Sequence, residues 1–66
     1  MKLGRFLKMI DAYTDVTTKV RIRREDGITP LVETRLITVG YESMPYEKLN
    51  VVEFGFHNSE LHIIVK

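Results

Sequence analysis

Sixty-six residues, 44% hydrophobic and 29% charged with a net charge of +1, describe one globular domain over residues 1–66 and exclude an intrinsically disordered chain. The chain contains no cysteine, which excludes a disulfide framework or a thiolate metal site. A core this small is expected to give only about 3–5 kcal/mol net, and self-association is one expected remedy.

No run nears the roughly 20 apolar residues of a membrane span, and the N-terminus lacks the apolar core and cleavage site of a secretion signal. The expected location is the cytoplasm, with no membrane partner. Charge is placed unevenly: residues 1–24 are net +5 and residues 25–66 net −4. Either the two parts neutralise each other across the fold, or the basic part faces an anionic partner.

In chain order, Leu3, Phe6, Leu7 and Ile10 fall at i, i+3, i+4 and i+7, while Lys2, Arg5, Lys8 and Asp11 take the opposite side. This spacing predicts a helix over 2–12 with one apolar face, ended by Ala12-Tyr13-Thr14-Asp15. From Val16 the period changes to two. Val16, Thr18, Val20 and Ile22 lie on one side and Lys19, Arg21 and Arg23 on the other, as in a strand with one buried face.

The strand is expected to turn back around Glu25-Asp26-Gly27 and return as far as Val39. A two-residue Asp26-Gly27 turn would set Glu33 opposite Val20 on the apolar face. A longer loop centred on Gly27 pairs Val20 with Thr34, Ile22 with Val32, Thr18 with Leu36 and Arg21 with Glu33, which segregates the faces. That loop is expected to give Gly27 a positive φ and to place Pro30 near the strand start. The register sends Arg35, Ile37 and Val39 to the outer side.

Ser43 to Leu49 reads as a short helix with Pro45 in its first turn and Asn50 as its stop. Val51–Phe56 and Leu61–Val65 then form a second hairpin across His57-Asn58-Ser59-Glu60. Phe56 pairs with Leu61, Phe54 with Ile63 and Val52 with Val65 on the inner side. The expected fold class is α+β: a four-stranded, largely antiparallel sheet made of two hairpins, the N-terminal helix on one face and a short helix between the hairpins.

One helix covers one face, so the other is expected to be free. On it, Ile37, Val39, Val51 and Ile64 would form an aliphatic patch of the kind that seeks a partner, bordered by Arg35. Lys19, Arg21, Arg23 and Arg24 give an alternative reading, in which alternate bases on a strand track nucleic-acid phosphates; Glu33 and Glu53 on the same face oppose it. Phe54-Gly55-Phe56 is similar to the aromatic-glycine-aromatic core of the RNA-recognition motif, where exposed rings stack on bases. Val52-Glu53 and His57 depart from that motif, and the pairing with Leu61 and Ile63 assigns both rings to the core. His57, Glu60 and His62 match no zinc-ligand spacing. No nucleophile motif or phosphate-binding glycine loop is present, so neither catalysis, nor a cofactor, nor a small-molecule substrate is expected.

Met1-Lys2-Leu3 through Phe6-Leu7-Lys8-Met9-Ile10-Asp11, then Tyr13-Thr14-Asp15-Val16, and later Met44-Pro45-Tyr46-Glu47-Lys48-Leu49 before a closing hairpin, resemble short uncharacterised accessory proteins encoded by phages and prophages of Gram-positive bacteria. The resemblance implies action in the host cytoplasm by binding a host or defence protein, as anti-CRISPR proteins do. A small α+β interaction protein is therefore the leading expectation. A nucleic-acid-binding accessory factor and a self-assembling module, its partner a second copy of itself, are the alternatives.

Overall fold

The amphipathic spacing of the first residues produces α1 over Leu3–Asp11, with Leu3, Phe6 and Leu7 buried. The computed structural model describes residues 1–12 and 14–66; the predicted helix end therefore falls partly on Tyr13, outside the described residues. The strands that follow are β1 (Lys19–Arg24), β2 (Val32–Arg35), β3 (Val51–His57) and β4 (Glu60–Val65), with α2 (Leu36–Glu42) and a 3-10 turn (Met44–Tyr46) between β2 and β3.

The four strands form one sheet in the order β2-β1-β4-β3. Both hairpins are antiparallel, and β1 and β4 join them in parallel at the centre, with Val20 beside Leu61 and Ile22 beside Ile63. The fold is α+β, as expected. Its core is the inner face of the central strands (Val20, Ile22, Leu61, Ile63 and Val65) closed by Leu3, Phe6 and Leu7 of α1 and by Leu36 and Val39 of α2. Gly4 lets α1 approach the 3-10 turn: its N–H donates to the Glu47 carbonyl at 3.0 Å, and a Cβ there would lie 3.2 Å from the Glu47 Cβ.

The first hairpin has the predicted register, with Val20 opposite Thr34, Arg21 opposite Glu33 and Ile22 opposite Val32. Its boundaries differ. Val16 and Thr17 lie in a turn before β1, because Asp15 Oδ1 accepts bonds from both the N–H and the hydroxyl of Thr17 at 2.8 Å. This side-chain turn competes with the ladder. Gly27 does not adopt a positive φ; its N–H donates to the Arg24 carbonyl at 3.1 Å in an ordinary turn.

The largest correction concerns the predicted long second strand. The chain leaves the sheet after Arg35 and residues 36–42 form α2. A strand would have left Ile37 and Val39 facing solvent together. A helix instead turns Leu36 and Val39, at i and i+3, into the core, with Ser43 buried one turn further on. Its first two N–H groups are satisfied by the segment that leads into β1: Leu36 N donates to Thr18 O at 2.8 Å and Ile37 N to Val16 O at 2.9 Å. The short helix predicted over 43–49 reduces to the 3-10 turn at Met44–Tyr46.

The second hairpin has the predicted pairs Phe56–Leu61 and Phe54–Ile63, but its loop has two residues rather than four. His57 pairs with Glu60, and Asn58 and Ser59 take φ of 53° and 65°, the double left-handed conformation of a type I′ turn. A bulge between Val51 and Glu53 places Val51, not Val52, opposite Val65.

Candidate functional site: the free edge of β3

Of the predicted aliphatic patch, only Ile64 lies on the outer face of the sheet. Val39 is 2% exposed and buried in the core, Val51 packs against that core because of the bulge, and Ile37 is 68% exposed on α2 rather than on the sheet. Arg35 is exposed at the end of β2, where its guanidinium donates to the Thr17 carbonyl at 2.8 Å. The expected four-residue patch is therefore not assembled.

The basic strand is placed as expected for Lys19, Arg21 and Arg23, which share the outer face; Arg24 follows the alternation to the side of Val20 and Ile22. These bases stand among acids. Arg21 faces Glu33 across the hairpin, and its Nε lies 3.4 Å from Glu60 Oε1. The Arg23 guanidinium donates to the Gly27 carbonyl at 3.2 Å. Glu60 also meets His62 Nε2 at 3.5 Å, and the His62 ring stands edge-on to that of His57 with centroids 5.9 Å apart. An open groove of about 420 Å³ crosses this face, lined by Arg21, Arg23, Ile28, Pro30, His57 and His62 among others.

The feature that sequence reasoning missed lies at the margin of the other face. Phe54 and Phe56 have the predicted pairing partners, yet they are 52% and 57% exposed. The reason is strand order. Leu61 and Ile63 are on central β4, beneath the helices, whereas β3 is an outermost strand. Phe54 still reaches α1, with its ring centroid 4.7 Å from that of Phe6 and the planes tilted by 54°. Val52 is exposed as well.

The backbone adds to this. A two-residue loop closes on a hydrogen-bonded pair, so His57 bonds to Glu60 and, two residues on, Gly55 bonds to His62. By the same alternation Phe54 and Phe56 direct their N–H and C=O groups away from β4. The N-terminus occupies the start of this edge, where Lys2 bridges Asn50 and the Met1 carbonyl accepts from Val51 N at 2.8 Å. Beyond it the edge of β3 is bordered by no other strand among the described residues. An edge of that kind is a template for another strand.

A second apolar surface lies on α2 and the turn after it, where Ile37, Tyr41 and Met44 are exposed at i, i+4 and i+7. It has side chains to offer but no unpaired strand backbone. Among the described residues, no helix is long and apolar enough to cross a membrane.

Compared with known proteins, the chain has no significant match to any family model, curated protein or solved structure.

Proposed function

We propose that this chain is a small, non-enzymatic protein-interaction module that works through the free edge of β3. The observation that carries this reading is the coincidence, on one strand, of two half-exposed phenylalanines with outward-directed backbone groups at the same two residues. Main-chain bonds supply affinity to an extended segment of another protein, and the rings supply an apolar seat beside it. The resemblance to phage accessory proteins makes a host-cell protein the expected class of partner. The nucleic-acid reading is weaker, because Arg21 is held beside Glu33 and Glu60, and Arg23 is turned toward a backbone carbonyl.

The test is capture from host lysate with nuclease present, followed by amide NMR mapping of the captured protein on the labelled chain. Binding lost in Phe54→Lys/Phe56→Lys, kept in Arg21→Glu/Arg23→Glu, and perturbing amides of residues 52–57 supports the reading. Binding abolished by nuclease or by the arginine substitutions would favour the nucleic-acid alternative.

A further inference from the structure

We infer that in the isolated protein the β3 edge is occupied by a second copy of this chain, paired antiparallel about a two-fold axis at Gly55. This rests on the reading of β3 as the interaction edge and names the partner that edge takes when no other protein is supplied.

The argument is one of self-complementarity. An isologous strand pair must place each residue opposite its mirror position about the centre. Centring on Gly55 sets Phe54 opposite the partner copy's Phe56, both on the inner face, and Glu53 opposite the partner copy's His57 on the outer face. The backbone parity agrees. Phe54 and Phe56 have their N–H and C=O groups directed outward, so each Phe54–Phe56 pair exchanges both its N–H···O bonds, and the central Gly55 pair is a non-hydrogen-bonded one. Carboxylate faces imidazole, which joins hydrogen-bond acceptor to donor rather than like to like.

Neighbouring registers lack this agreement. A centre at Phe54 sets His57 across from the bulge at Val51 and Glu53, where the ladder is irregular. A centre at Phe56 carries Phe54 past the end of the strand to the partner's Asn58, in the turn. The N-terminal bridge to Asn50 stops the pairing at its far end, so the contact is short. Its product is a continuous sheet of two copies, with the four phenylalanines clustered along the seam. So small an interface belongs to the weak end of the range, with dimer accumulating only well above low-micromolar concentration.

The absence of cysteine from the chain gives a direct test of the register. In a non-hydrogen-bonded antiparallel pair the Cα atoms lie about 4.5 Å apart, within disulfide reach. Gly55 has open space where a Cβ would stand, with nothing within 4 Å. Under mild oxidation Gly55→Cys is expected to give a covalent dimer, while Glu53→Cys, which faces the partner's His57, stays largely uncrosslinked. Sedimentation of the unmodified chain is expected to show mass rising from 7.7 kDa toward twice that value with concentration. Phe56→Lys should weaken the association at least about tenfold, whereas Ile37→Lys and Ile64→Lys leave it unchanged.

A monomer at the highest concentration overturns the inference, as does a dimer indifferent to Phe56→Lys. Equal crosslinking of the two cysteine variants overturns it too. A monomer that still captures a protein from lysate through Phe54 and Phe56 overturns self-pairing alone, while loss of that capture as well overturns the interaction reading with it.

Discussion

The Phe54 ring rests against Phe6 with 4.7 Å between centroids, while Phe56, two residues along the same strand and face, is the more exposed of the two. One phenylalanine thus ties β3 to α1 and the other extends the edge. Phe54→Ala should therefore destabilise the monomer by about 1–2 kcal/mol more than Phe56→Ala, the difference being the ring contact and its buried area. Urea unfolding at low micromolar concentration, where self-pairing is negligible, measures this. Equal losses would show that the Phe6 contact contributes nothing.

Ile37 and Val39 separate a helix from a strand at residues 36–42. In α2 Val39 is buried and Ile37 exposed, although a strand would set both on one side. Val39→Asp should cost more than about 3 kcal/mol by burying an unpaired charge, enough to unfold a domain this small, and Ile37→Asp should stay within about 0.5 kcal/mol. Far-UV circular dichroism with thermal melts distinguishes them.

Ser59 holds a φ of 65° without being glycine. Ser59→Gly relieves that conformation and should raise stability by about 0.5–1 kcal/mol, as type I′ turns favour Asn-Gly. Ser59→Val should lower it by at least as much. Thermal midpoints moving in the same direction for both would show that the turn conformation is not what limits stability.

Asp15 is held below the usual carboxylate range, first by the Thr17 N–H and then by the Thr17 hydroxyl. A folded-state pKa below the unfolded one means that these bonds favour the fold above the ordinary Asp value, and that their help is lost as pH falls through the lowered value. Carbon-detected NMR titration should find the Asp15 midpoint below that of an unperturbed aspartate. Thr17→Ala should return it only part of the way, since the larger, backbone contribution survives; a midpoint unmoved by the substitution would assign the shift to the backbone alone.

Period and pairing made much of the fold legible in the sequence. Leu3, Phe6, Leu7 and Ile10 mark α1 without ambiguity, and charge segregation between Val20 and Arg21 selects the correct hairpin register, since the alternative would bury Glu33. Leu36 to Val39 reads as strand in the sequence because β-branched Ile37, Thr38 and Val39 suit a strand locally, whereas burial of Leu36 with Val39 decides for the helix. A signal was present: Leu36, Val39 and Ser43 at i, i+3 and i+7. The candidate site was not legible. Phe54-Gly55-Phe56 reads as core by its cross-strand partners, and only the strand order, which no local pattern encodes, makes β3 an edge and leaves the rings at the rim.

The parallel junction of β1 and β4 also sets how the domain assembles. Each hairpin pairs strands that are neighbours in sequence, but the single inner face on which the helices pack exists only once Val20 meets Leu61 and Ile22 meets Ile63, roughly forty residues away along the chain. The rate-limiting event of folding should therefore be the docking of two preformed ribbons. Substitutions that weaken that seam should slow folding, whereas those in the Asn58-Ser59 turn should act chiefly on how fast the second ribbon appears.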